Sequence, residues 1–308
     1  VFYAQSPGAR YRSRSGRNIA DELEILIKDY GVKFIFFVDE DFLGGTPARK
    51  TVLKDLIREI RKRKLNFNFL IECRADYWRQ LEIFEELVDI GLFSIFIGVE
   101  SSLESVLDRL HKGISPEDVY RAYEFSEKLG LYMYIGYILF DPYTTFNELQ
   151  ETIERLFSPG FPPILHLHGM GIVKGTPQAE RLRQDGLLIH RARSLGYTFT
   201  DTKVKYFSDA LDTYCNIYRP VVLNTYKILF MAGNFPRHNN AFALEALMAL
   251  EKQIVLCHKE FLCSTLDMLE GGHLSIDYQL VFTARFARIL SITNAIHSKW
   301  RSACSLSL

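Results

Sequence analysis

The chain has 308 residues, 48% hydrophobic and 24% charged, values that fit a folded globular protein and exclude a disordered one. Its 37 basic and 37 acidic side chains cancel, which gives nucleic-acid binding little support and offers no general attraction to an anionic membrane. No apolar run approaches the ~18–20 residues a membrane span needs, and five scattered cysteines, at 73, 215, 257, 263 and 304, argue against a disulfide framework and for a reducing, cytosolic compartment.

The sequence begins at Val1 without an initiator Met or signal-peptide pattern and reads as a fragment or processed piece. Residues 1–17 form an irregular Ser/Gly/Arg-rich entry, with Arg10, Arg12, Arg14 and Arg17 around Tyr11. Asn18 is placed to cap a helix over Ile19–Tyr30 that Gly31 ends. The apolar run Phe34–Val38 then predicts a strand ending at Asp39. Thr46-Pro47 is a helix start in cap-then-N1 order, with Val52, Leu53, Leu56, Ile57 and Ile60 on its apolar stripe. Phe67–Ile71 predicts a second strand, ending at Glu72, and Ser94–Val99 a third, ending at Glu100. Ser115-Pro116-Glu117-Asp118 starts another helix before the fourth strand, Met133–Phe140, which ends at Asp141. Thr145 starts the next helix, and Ile164–Gly169 predicts a fifth strand.

Helices that stop at Gly31, Gly91 and Gly130 and feed near-continuous apolar strands are the pattern of parallel β/α units. Four strand ends carrying Asp39, Glu72, Glu100 and Asp141 place four acids on the C-terminal rim, where such sheets bind ligands. Beyond Gly186 the pattern changes. Tyr197–Asp209 is weakly patterned, whereas Asn224–Met231, Ala241–Cys263 and Tyr278–Ile296 read as helices. The expected organisation is a core over residues 1–195 and a mainly helical segment over 196–308.

The stretches IFFVDEDF, IECRADYW, IFIGVESSLESVLDRLHKGISPEDV, YIGYILFDPYTT and KGTPQAERLRQDGLL, together spanning about Ser6–Leu188, resemble the core of radical S-adenosylmethionine enzymes, in particular the class with an upstream cobalamin-binding domain. The resemblance implies an α/β partial (β/α)₆ barrel, with its first strand before Val1, that holds S-adenosylmethionine at the strand ends. It also implies a [4Fe–4S] cluster on a CxxxCxxC motif, cobalamin in the intact protein, and radical-based modification or cobalamin-dependent methyl transfer on an unknown small-molecule substrate. This sequence contains no CxxxCxxC, and Tyr3 stands where the third thiolate is expected, so the chain as written is expected not to assemble the cluster.

Carried onto these positions, the resemblance gives Asp39, Glu40 and Asp41, beside Gly44-Gly45, to the methionyl ammonium. Glu72 and Arg74, two apart on extended backbone, point to one side, and the Arg fork suits the methionine carboxylate. The alternative for these two is an internal ion pair. Glu100 and Ser101 suit ribose hydroxyls, with Ser101 or Ser102 alternatively capping the next helix. Gly136 and Ile138 suit the adenine, with Gly136 alternatively a packing glycine. Asp141, before Pro142, reads as a turn residue.

Two other readings compete. His166 and His168 alternate on one strand face, as in metal-dependent barrel hydrolases. A cluster-less chain could instead act as a binding or scaffold module. Cys73, Cys257, His258 and Cys263 read as core residues, and Lys174-Gly175-Thr176-Pro177 lacks the order of a phosphate loop.

Overall fold

The computed structural model describes residues 13–44, 46–191, 194–234, 240–271 and 278–305. The entry stretch around Tyr3, with Arg10, Tyr11 and Arg12, and also Gly45, lie outside them. Local signals set most helix starts. Helix α2 (Pro47–Arg63) has Thr46 as N-cap, accepting from the Arg49 amide. Helices α5 (Pro116–Lys128) and α6 (Phe146–Leu156) begin with reciprocal capping boxes, Ser115 with Asp118 and Thr145 with Glu148. Helix α1 (Gly16–Lys28) corrects the expected cap. Ser15, not Asn18, is the N-cap, because its hydroxyl accepts from the Asn18 amide one turn in. Gly31 and Gly130 follow α1 and α5 at φ +68° and +66°, a backbone turn that side-chain-bearing residues resist.

Four strands, β1 (Phe34–Phe36), β2 (Asn68–Arg74), β3 (Leu92–Glu100) and β4 (Tyr132–Tyr137), form one parallel sheet in the order β1-β2-β3-β4. Helices α2, α3 (Leu81–Asp89), α4 (Glu104–Arg109) and α5 connect them. Toward their C-terminal ends the strands alternate. Ile71, Cys73, Ile95, Ile97, Val99, Ile135 and Tyr137 are buried, whereas Glu72, Arg74, Phe96, Gly98, Glu100, Tyr134 and Gly136 are half-buried. One face is thus sealed and the other opens toward the rim.

The fifth expected strand, over 164–169, does not form as a strand. Two backbone bonds join it to the chain beyond β4, Leu139 N to His168 O and Phe140 O from Met170 N, both 2.9 Å. Side chains occupy the other ladder groups. The Tyr218 hydroxyl accepts from Leu167 N (3.0 Å) and donates to Leu167 O (3.1 Å), and His258 Nε2 donates to Leu165 O (3.1 Å). These come from helices α8 (Thr202–Gly233) and α9 (Asn240–Glu270), which cover the exposed strand edge in place of a further strand.

Helix α7 (Pro177–Gln184) leads to a short antiparallel hairpin, β5 (Leu188–His190) with β6 (Leu195–Tyr197), which the sequence pattern does not foretell. Helix α8 then runs through the weakly patterned stretch and through Pro220 without ending. Its buried stripe of Val204, Phe207, Leu211, Tyr214, Tyr218 and Val221 joins the same hydrophobic core as the strands. At the N-terminal end of the strands, Asn68 donates to Gly233 O (2.7 Å), and Tyr132 of β4 donates to the buried Glu251 of α9 (2.8 Å). Helix α10 (Tyr278–Ser305) packs on α8 and α9. No described helix is long and apolar enough to cross a membrane.

Candidate functional site: an acidic rim and a basic pocket

Register aligns the rim residues in rows. Glu72 pairs with Phe96 and Phe96 with Tyr134; one step further, Arg74 pairs with Gly98 and Gly98 with Gly136. Glu72, Arg74, Glu100, Gly136 and Ile138 therefore share the open face. The loop carrying Asp39, Glu40 and Asp41 folds over its β2 end, where Phe42 N donates to Glu72 O (2.9 Å).

Most polar groups here are committed to one another. Asp41 accepts from Tyr77 Oη (2.8 Å) and from the Gly44 amide (3.1 Å). Arg74 does not pair with Glu72. Its Nε donates to Asp76 (3.0 Å), and Nη2 reaches the carbonyls of Lys112 and Gly113. Glu100 accepts from Lys112 Nζ (2.7 Å) above Gly98, where any Cβ would sit 3.1 Å from both charged groups. Glu100 also takes a left-handed backbone, φ +65°, at a register shift in β3. A non-glycine residue held in that region costs of order 1–3 kcal/mol and persists where its surroundings fix it. Lys112 is the partner the sequence reading missed. It lies in the same Leu-His-Lys-Gly passage that carries the resemblance.

Ser101 lies off this face, buried, its hydroxyl accepting from the Leu103 amide, and Ser102 bonds Tyr137 Oη at 2.8 Å. Over Gly136 lies the Phe96 ring, 2.8 Å from where a Cβ would stand. Asp141 is a turn residue. It accepts from the Tyr143 amide (2.7 Å) and from Arg109 Nε (2.8 Å).

Three acids remain uncommitted. Asp39 and Glu40 are exposed, Glu72 is half-buried, and none has a side-chain hydrogen bond or ion pair among the described residues. Burial, and then the neighbouring Glu40 charge, raise the Glu72 carboxyl above the ordinary glutamate value. An acidic corner without a counter-cation suits a cationic ligand.

The thiols do not fit an iron–sulfur cluster. Cys73 is fully buried and its pKa is pushed up by burial and by Asp41. Cys215 bonds Leu167 O and Tyr218, and Cys257 and Cys263 lie on α9. Among the described residues, no three His, Cys, Asp or Glu side chains are grouped to hold a metal. His166 and His168 have ring centroids 5.3 Å apart but gain no third ligand.

These two histidines line a separate pocket of about 540 Å³, which shares no residue with the rim face. Phe140, the 166–172 segment, the β5–β6 hairpin and one stripe of α8 form it. Lys205, Ser208, Asp209, Asp212, Cys215 and Arg219 recur on α8 at helical spacing beside its buried stripe, from which Leu211 and Tyr218 also reach the pocket. That spacing was the available signal for the pocket, masked in sequence by aromatic residues on both faces.

The family model described as the radical SAM superfamily matches residues 2–166, just over half of the chain. An uncharacterized methyltransferase of Pyrococcus horikoshii is 27% identical over 147 residues, covering 48% of this chain and 31% of that protein. The hopanoid C-2 methylase of Rhodopseudomonas palustris is 23% identical over 61% of this chain and 35% of its own length. The 4'-phospho-dehydrooxetanocin synthase of Priestia megaterium is 31% identical over 42% of this chain and 19% of its own. Among solved structures, the cobalamin-dependent S-adenosylmethionine radical enzyme OxsB with aqua-cobalamin bound superposes with a TM-score of 0.65 at 16% identity. That match covers 97% of this chain and 52% of that one, and it shows the fold. The chain thus spans about a third of the first two curated relatives and about half of the solved structure.

Proposed function

The chain belongs to the radical SAM superfamily, and from that premise we propose that its C-terminal rim binds S-adenosylmethionine. The observation that carries the reading is the uncommitted group Glu72, Glu40 and Asp39, an anionic corner open to a ligand that brings both an ammonium and a sulfonium. Asp41 flanks that corner, fixed by Tyr77. Arg74 and Glu100 are held in place by Asp76 and Lys112 and would meet the ligand already oriented, so little ordering is needed on binding. Gly136, Ile138 and the Phe96 ring offer an apolar surface for the adenine, while Ser101 would act by shaping the β3–α4 turn.

In the whole protein we assign this core to radical-based modification or cobalamin-dependent methyl transfer, next to a cobalamin-binding domain. The support is the family membership and the partial span of the chain within larger relatives. The cysteines of this sequence do not provide the ligand set of the family's [4Fe–4S] cluster, so no step through it is assigned to them.

Equilibrium dialysis of the chain against labelled S-adenosylmethionine tests the proposal. Binding that survives His166→Ala and His168→Ala is expected. Release of the label by a metal chelator would favour the hydrolase-type site instead.

A further inference from the structure

The pocket lined by His166 and His168 has a charge character opposite to that of the rim. Of its charged side chains, Lys205 and Asp209 neutralise each other through an ion pair of 2.6 Å. Arg191 and Arg219 have no acidic partner among the described residues, and Asp212 is the one acid left to face them. The Arg191 side chain lies over Gly196, with Nε 2.9 Å from where a Cβ would stand, so the glycine leaves room for it. His168 donates through Nδ1 to Gly169 O (3.0 Å), which leaves Nε2 unused by the protein. His166 lies beside it, its pKa lowered by burial and then by the nearby positive groups His168 and Arg219. Beside these groups, Phe140, Tyr197 and Phe199 make a continuous aromatic wall with ring centroids 5.2–5.5 Å apart, Phe140 and Tyr197 against Gly169.

We propose that this pocket is a second binding site, for a small molecule that joins an unsaturated or ring-shaped body to a phosphate or carboxylate group. The anionic group would sit among Arg219, Arg191 and the two histidines, and the body against the aromatic wall. Guanidinium groups match both anions in geometry, and with Arg191, Arg219 and His166 exposed the anionic group would enter from the open side of the pocket. As an anion site the pocket stands by itself; as the place of the substrate it rests on the function proposed above. Asp212 works against the anion, since it lies near Tyr197 and Cys215, as Arg191 and Arg219 do.

The 308-residue chain is titrated with phenyl phosphate and, separately, with phenylacetate, by calorimetry and by following the histidine ring resonances. Binding of at least one is expected at millimolar or lower concentration, with the His166 resonance titrating at higher pH when the anion is present. The stronger of the two identifies the head group. Arg219 is exposed, so Arg219→Gln should leave the melting temperature unchanged while weakening binding about tenfold or more. Asp212→Asn should tighten it. Absence of binding by both anions, or equal affinity in the Arg219→Gln chain, overturns the proposal. S-adenosylmethionine is titrated into the same samples. Anion binding without S-adenosylmethionine binding would keep this pocket and remove the rim reading, and the reverse would remove the pocket alone.

Discussion

Two desolvated carboxylates sit toward opposite ends of the parallel strands, and both are raised above the ordinary glutamate range. Glu251, near the start of β4, is buried against the strand and pushed up to about 8 by that burial, with the Tyr132 hydroxyl pulling partly back. Glu72, at the rim end of β2, is half-buried, and a second acid, Glu40, adds to its shift. Glu251 is almost wholly buried and has a neutral hydrogen-bond donor, and although it borders a small cavity of about 190 Å³ its carboxyl is held by Tyr132, so it belongs to the packing of α9 on the strands. Glu72 has an open face and no partner, so it is available to a ligand. A raised carboxyl is therefore not by itself a site; what faces it decides.

The largest expected difference between the two is in pH dependence. Glu251 binds its proton more tightly folded than unfolded. Its favourable form is fully present below about 4.5, and stability falls as the pH rises toward about 8. Taken alone the full span is on the order of 5 kcal/mol. Chemical denaturation at several pH values should show this fall, and Glu251→Gln should flatten it. Tyr132→Phe comes next. It leaves the buried Glu251 carboxyl without its donor and should cost about 2 kcal/mol in the same assay. The smallest effect is at the rim. Glu72→Gln removes a charge that faces another acid, so stability should change by about 0.5 kcal/mol or less, in the stabilising direction. A large loss there would make Glu72 structural and erase the contrast.

The sequence made the parallel strands legible because each is a continuous apolar run, and it made three helix starts legible because Thr46, Ser115 and Thr145 cap locally. The failed fifth strand was not legible. Its backbone partners are Tyr218 and His258, more than 50 residues away, and no local pattern announces a side chain that replaces a ladder bond. Of the site, the rim position of Glu72, Arg74 and Glu100 followed from strand periodicity. Their partners did not, since Lys112 reaches Glu100 across a loop, and Asp76 captures Arg74 through a tight 3-10 turn at Ala75–Arg79. The pocket on α8 was hidden for a related reason, because its polar stripe is interrupted by Tyr206, Tyr214 and Tyr218.

The rim acids are proposed to hold S-adenosylmethionine as anions. Calorimetric titration of the wild-type chain and of a Glu40→Gln, Glu72→Gln variant, near neutral pH and at mildly acidic pH, tests this most directly. Binding by the wild type should weaken on acidification, at a pH above that at which an ordinary glutamate titrates, and the variant should bind about tenfold more weakly or worse. No heat at millimolar ligand, or equal affinity in both chains, would contradict it.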